Sequence, residues 1–350
     1  MKERFRAPVL FAAILFILPA TCPLASGEES WQAVKSYSYI DPATPQDLAG
    51  GEIRGNHVPM EGLALNMDVE TCYVLALPPD KVIERIRDLK RPKNDTGDKT
   101  LGASIDHRVS NPATRSDLQD FSVQNIAQWS FFGGGGGLAD TTQLNLDQEE
   151  KQKVAEASTE KNADKSAVSA AWKEILLQRA LAFQKKGLMG SDPYQTGNDK
   201  FEPGPELVVM LKKRGPVLNR FLGVLDGVMS GRQVPNSLDP VYYWESSSIQ
   251  GDQTIALAAN FVQTGASYKS AEITYYVSSK YYISLTLSEF FPVQINGKTR
   301  TFVWRSDFVI TPSIGFAKGI ERMAAENIML IEVKRSIRNF MEECSKAAGS

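Results

Sequence analysis

The sequence predicts an α+β protein: a curved antiparallel β-sheet gripping a long C-terminal helix, with a helical insertion in the middle of the chain. Three observations carry this. From about residue 239, five runs rich in Tyr, Phe, Val and Ile follow one another with two-residue alternation. One long amphipathic stretch, about 314–343, closes the chain. An earlier alternating run at 63–77 leads into a proline-started helix and belongs to the same sheet. The bulk numbers agree: 350 residues, 42% hydrophobic and 23% charged, are those of an ordinary globular chain.

The first 27 residues read as a signal peptide. Lys2, Arg4 and Arg6 form a basic start, and residues 9–18 (VLFAAILFIL) an apolar centre. Ala25-Ser26-Gly27 then offers small residues for cleavage near Gly27. The apolar run is short for a membrane span. Cys22 raises lipidation as an alternative, although Pro19-Ala20-Thr21 departs from the usual lipobox. The expectation is an exported protein, periplasmic or extracellular, with no transmembrane span in the mature chain. The net charge of −2 lacks the basic footprint of a nucleic-acid binder. Removing residues 1–27 takes away three basic groups and one acidic group, which makes the remainder more acidic.

Residues 28–62 carry several turn formers and read as an irregular segment with one helical turn near 46–49. In the strand at 63–77, Leu63, Leu65, Met67, Val69, Tyr73, Leu75 and Leu77 share one face. Asp68, Glu70 and Cys72 take the other, so the strand is expected to cover a core on one side only. Pro78-Pro79-Asp80 starts a helix, because proline suits a first turn and Asp80 complements the helix N-terminus. Val82, Ile83, Ile86 and Leu89 give its spacing, and Arg91-Pro92 ends it. Short strands are expected near 102–105 and 121–126. The glycine run 133–137 lacks the Gly-Lys-Ser/Thr of a phosphate loop and reads as a hinge or tip.

The helical insertion spans about 147–230. Its first helix runs over 147–187, with Ala171, Ile175, Leu176, Arg179 and Phe183 recurring at helical steps and Gly187 as terminator. A loop at 190–204 follows, then helices at about 206–214 and 216–229. The strands of the meander are expected at 241–247, 254–263, 268–277, 281–291 and 298–311. Asn296-Gly297 is the strongest hairpin signal, because a type I′ turn needs positive φ at both central residues. In the last helix Ile320, Met323, Asn327, Leu330, Ile331, Ile337 and Met341 form the expected core stripe.

Residues able to carry chemistry are sparse. His57 and His107 have no neighbouring Cys, His or carboxylate pair, and no Gly-x-Ser-x-Gly elbow occurs. The carboxylate pairs Glu149-Glu150 and Glu342-Glu343 read as solvated helix surface. No metal site, catalytic residue or cofactor is expected. Cys72 and Cys344 are expected to stay as separate thiols, because Cys72 lies on the face opposite the apolar one. On the strand at 301–310, Arg305 and Asp307 share a face, with Glu245 as a third member of a polar cluster. An Arg guanidinium there would anchor an anionic group, or the pair is an ordinary cross-strand ion pair. Tyr243, Trp244, Tyr275, Tyr282 and Trp304 are candidates for lining an apolar pocket, or are ordinary strand packing.

Residues 65–91 (LNMDVETCYVLALPPDKVIERIRDLKR) and the meander plus helix at 240–344 resemble the START-like, helix-grip (polyketide cyclase-like) proteins. The matching phrase is Pro78-Pro79-Asp80-Lys81-Val82 through Asp88, and the resemblance covers about half the chain. The helical insertion is a departure from that pattern. The resemblance implies a cavity between sheet and helix suited to a hydrophobic small molecule or lipid. The ligand-binding candidates are then Tyr243, Trp244, Glu245, Tyr275, Tyr282, Trp304, Arg305 and Asp307. The alternatives are an envelope or extracellular interaction protein using the helical insertion as a contact surface, or an enzyme of unrecognised type.

Overall fold

The structure is a computed structural model and describes residues 31–88, 104–110, 144–159, 165–196, 199–249, 252–315, 317 and 319–349. The expected signal peptide with Cys22, the strand at 121–126 and the glycine run 133–137 lie outside these residues.

The helices are α1 (Pro45–Leu48), α2 (Pro79–Arg87), α3 (Gln148–Thr159), α4 (Lys165–Lys186), α5 (Pro203–Lys213), α6 (Gly215–Ser230) and α7 (Ile320–Gly349). The strands are β1 (Arg54–His57), β2 (Asn66–Leu75), β3 (Ser104–Ser110), β4 (Tyr194–Thr196), β5 (Asp199–Phe201), β6 (Ser237–Ile249), β7 (Asp252–Gln263), β8 (Tyr268–Val277), β9 (Ile283–Ile295) and β10 (Lys298–Ile310). Eight of them form one open antiparallel sheet in the order β1-β2-β10-β9-β8-β7-β6-β3. The expected meander is therefore present as five consecutive neighbours, and β2 completes it by pairing with β10. Register shifts in the β6–β7 and β7–β8 pairs are bulges, which bend and twist a strand and curve the sheet. Asn296 and Gly297 both have positive φ, 52° and 72°, as the β9–β10 turn requires.

Several elements depart from the sequence expectation. The segment 28–62 is not wholly irregular, since β1 pairs with β2. Its sequence, Arg-Gly-Asn-His, carries no alternation to announce a strand. Gly55 is needed there because a Cβ would lie 2.7 Å from the Glu70 carbonyl oxygen and from Thr71 Cγ2. The loop at 190–204 contains the small β4–β5 hairpin. The last helix begins at Ile320, later than expected, and Cys344 lies inside it rather than beyond its end.

The main correction concerns the sheet's faces. All ten residues of β2 are buried, so the strand covers packing on both sides. One face carries the even-numbered residues of β2 and β10. Phe302, Trp304 and Phe308 share a core there with Trp172, Phe183, Phe221 and Val224 of the helical insertion. The insertion is thus the cover of this face. The opposite face packs Tyr73, Leu75, Val303 and Phe290 against Val82 and Ile83 of α2 and Ile337 and Cys344 of α7. Cys72 and Cys344 therefore sit in cores on opposite sides of the sheet, both buried and not bridged to each other. Helix α7 lies on β1 and β2 and uses only part of the expected stripe. Ile337 is buried in the core with Met341 packed against it, as expected, and Cys344 joins them, whereas Ile320, Met323 and Ile331 are exposed.

The even face also holds charge. Asp68, Glu70 and Glu289 are at most 1% exposed. Arg214, at the junction of α5 and α6, is paired with both Asp68 and Glu70. Glu70 also accepts from Ser38 Oγ at 2.8 Å and from the Tyr39 and Ile40 amides at 2.8 and 3.2 Å, which pins the N-terminal segment to the sheet. Ser306 Oγ donates to Asp68 at 2.7 Å. Glu150, expected on a solvated surface, is buried and takes a bidentate bond from Arg179 at 2.7 and 2.5 Å, tying α3 to α4. Glu149 beside it is exposed and pairs with Lys153.

Three outcomes follow. Neither thiol of the folded protein should react with an aromatic disulfide reagent, and both should react on denaturation without reductant. Replacing Arg214 by Met strands two buried carboxylates and should cost about 3–5 kcal/mol in urea unfolding. Burial pushes the Asp68 carboxyl up to about 7, against the pull of Arg214. Between the ordinary carboxylate range near 4 and that value, the folded state holds a proton that the unfolded state has released. This contribution to stability is therefore present at low pH and lost as pH rises toward about 7. The stability of Asp68→Asn relative to the parent should accordingly improve across that window in thermal melts.

Candidate functional site

The eight sequence-predicted residues divide between the two faces. Trp244, Tyr275, Tyr282 and Trp304 belong to the core under the helical insertion. Phe183 of α4 stacks on Tyr275 with ring centres 3.8 Å apart, and Phe201 stacks on Tyr282 at 4.2 Å. Trp304 is fully buried against Tyr37 and Phe221. The sequence could not separate these residues from pocket-lining ones, because the partners Phe183, Phe201 and Phe221 lie more than 80 residues from the rings they cover.

Tyr243, Glu245, Arg305 and Asp307 lie on the other face, where the structure brings only some of them together. Arg305 donates to Asp307 through Nε at 2.8 Å and Nη2 at 2.6 Å. Thr286 Oγ1 adds a bond to Asp307 at 2.8 Å. Tyr243 bonds Glu272 instead, and Glu245 stands four strands from Arg305. At about 4.8 Å per strand that is roughly 19 Å, so Glu245 is not part of the Arg305 pair.

The strand register reveals what alternation on single strands did not. Asp307, Thr286, Glu272 and Asn260 are successive partners across β10, β9, β8 and β7. Arg305, Ser288, Ser270 and Val262 form the neighbouring rung. Two rungs of mostly polar side chains thus cross the centre of this face. Asn260, Ser270, Ser288 and Asp307 are buried, and the Arg305 side chain is 23% exposed. Asn260 Nδ2 donates to Ser270 Oγ at 2.9 Å, but its Oδ1 is buried without a partner. Thr71, beside Arg305 on β2, likewise has an unpartnered buried Oγ1. Burial holds the Arg305 environment tight: Asp307 raises the guanidinium's affinity for its proton above its ordinary value against desolvation. Desolvation pushes the nearby Tyr73 hydroxyl up to about 12, so it stays protonated.

Apolar side chains border these rungs toward α2 and α7. Val262, Phe290 and Val303 belong to the core that those helices fill, with Tyr268 packed against it. The face therefore changes from apolar under α2 and α7 to polar at Arg305, Asp307, Glu272 and Asn260. A signal for the missed members was present in 268–277, where Ser270, Glu272 and Thr274 alternate with Ala271, Ile273 and Tyr275.

The histidines do not meet. His57 is on β1 and His107 on β3, the two opposite edges of the open sheet. Among the described residues there is no group of three or more His, Cys, Asp and Glu placed to hold a metal ion. No described helix is long and apolar enough to cross a membrane. No protein-family model, no curated protein and no solved structure matches the chain.

Proposed function

We propose that this chain is an exported protein that binds a small amphipathic molecule on the polar half of its sheet. The observation that carries this is the Asn260 carboxamide, buried on that face with its oxygen unpartnered. A buried acceptor without a donor costs about 1–3 kcal/mol, and a ligand donor would offset that cost. The surrounding chemistry favours donors over acceptors. Asp307 and Glu272 bring two carboxylates to this rung, with Arg305 bound to Asp307 and Tyr243 to Glu272. The head group is therefore a hydroxyl- or amine-bearing one. Tyr268, partly buried at the edge of the α2 and α7 core, is the neighbouring apolar side chain for the rest of the molecule. The START-like resemblance of 65–91 and 240–344 supports a ligand between sheet and helix. The polar rungs narrow the expected hydrophobic molecule or lipid to one with a polar head.

A second reading has its own observation. Ile320, Met323, Ile328 and Ile331 of α7 are 79%, 50%, 46% and 54% exposed. An exposed apolar run of this kind suits contact with another macromolecule, which is the interaction-protein alternative placed on α7 instead of the helical insertion.

Native mass spectrometry of the purified protein, followed by solvent extraction, should find a retained small molecule. Thermal-shift titrations should show stabilisation by long-chain amines or polyol-headed lipids above that by plain fatty acids. Asn260→Leu, checked for folding by circular dichroism, should abolish the stabilisation. If no mass is retained and no class shifts the melt, the binding reading fails. Loss of partner recovery on replacing both Ile320 and Ile331 by Asp would then favour the interaction reading.

A further inference from the structure

A second built feature lies on the opposite face of the sheet, where α6 begins. Ser36, Tyr37, Pro216, Asn219, Arg220 and Lys269 line a pocket of about 440 Å³. Behind two of these residues, Arg220 and Tyr37, lies Glu289, which is fully buried and fully satisfied. Arg220 Nε and Nη2 donate to it at 2.9 and 2.5 Å, Tyr37 Oη at 2.7 Å and Ser267 Oγ at 2.5 Å. Both carboxylate oxygens thus have two partners, which leaves no vacancy for another cation.

Lys269 pairs with Glu289 in the β8–β9 register, yet its ammonium makes no hydrogen bond or ion pair with any described residue. It is partly buried, and both desolvation and the adjacent Arg220 draw its pKa down, only partly countered by Glu289. An unpaired, partly desolvated ammonium beside a guanidinium is an unfavourable arrangement for an empty pocket. Asn219 also makes no side-chain hydrogen bond, and Arg220, which lies over the Tyr37 ring, reaches Glu289 through Nε and Nη2. The first turn of α6, which holds Pro216 and Asn219, adds the positive end of a helix. Two cations over one carboxylate leave an excess positive charge, with uncommitted donors around it.

We propose that this pocket binds a small oxyanion, a phosphate, sulfate or carboxylate group, between Lys269 and Arg220 with the Asn219 amide as a neutral donor. The site is independent of the polar rungs, since the sheet separates the two. The oxyanion is held by charge-assisted hydrogen bonds, and it relieves the repulsion between Lys269 and Arg220.

The test is calorimetric and thermal-shift titration of the full folded chain with inorganic phosphate, sulfate and acetate, each against chloride at equal ionic strength. Saturable binding at millimolar concentrations or below is expected for at least one of the three. Lys269→Gln should weaken it about tenfold or more, as expected for one lost charge-assisted bond. Lys298→Gln, at the exposed β9–β10 turn, should leave it unchanged. Folding of Lys269→Gln is checked separately by its own melt. No saturable binding of any of the three, or equal binding by Lys269→Gln, overturns the proposal. Binding only to vesicles of anionic phospholipid, with none to free oxyanions, also overturns it and makes the surface a membrane contact.

Discussion

Three carboxylates on one face of a β-sheet, Asp68, Glu70 and Glu289, constrain everything that packs on that face. Each is essentially without solvent, and an ionised carboxylate in such a place is tolerated only when paired and hydrogen-bonded. The pairing comes from Arg214 and Arg220, both at or near the start of α6. Helix α6 is therefore held to the sheet at two points by charge as well as by Phe221 and Val224. The N-terminal segment is bound by the same groups, since Glu70 holds the backbone at 39–40 and Glu289 the hydroxyl of Tyr37. Removal of the helical insertion would leave these carboxylates uncompensated. The insertion is thus integral to the fold, and the protein is a sheet between two covers.

This arrangement separates two kinds of polar group on the two faces. On the even face Asp68 and Glu70 share the Arg214 guanidinium and Glu289 takes that of Arg220, and the surroundings are dense aromatic packing. On the odd face the charges are fewer, the hydroxyls many, and the pairing incomplete at Asn260 and Thr71. Native folds seldom leave buried polar atoms without partners. Unpartnered buried atoms also occur on the even face, at Trp304 Nε1 and Tyr275 Oη, but those lie within aromatic packing rather than along a polar rung. Lys269 is the exception on the even face: Glu289 is already saturated by Arg220, Tyr37 and Ser267, so a cation remains beside it.

Much of the fold was legible in the sequence, and the reasons are local. The alternation in β7 to β10, the Asn296-Gly297 turn, the proline start of α2 and the helical steps 171–183 each encode structure within a few residues. β1 was not legible, because Arg-Gly-Asn-His has no apolar period and is a strand only through its pairing with β2. The N-terminal half of the stripe on α7 was misassigned for a related reason. The helix carries apolar residues around much of its circumference, and which of them face the sheet depends on where β1 and β2 lie. Of the site, Arg305 and Asp307 were legible through their two-residue spacing, whereas Glu272 and Asn260 join them only through strand register.

The helical insertion shows why the two-faced nature of β2 lay beyond periodicity. Alternation of Met67, Val69, Tyr73 and Leu75 with Asp68, Glu70 and Cys72 describes one apolar and one polar side. A polar side is compatible with water or with a buried counter-ion. The two cases differ by the position of Arg214, some 144 residues further along the chain from Glu70. Cys72 was the local hint, being a small hydrophobe that is usually buried, and Val74 beyond it continues the same face into the core. Read together, Cys72 and Val74 imply a cover over Asp68 and Glu70. A carboxylate pair under a cover needs a cation, and the arginine at the junction of two adjacent helices in the one unexplained block supplies it.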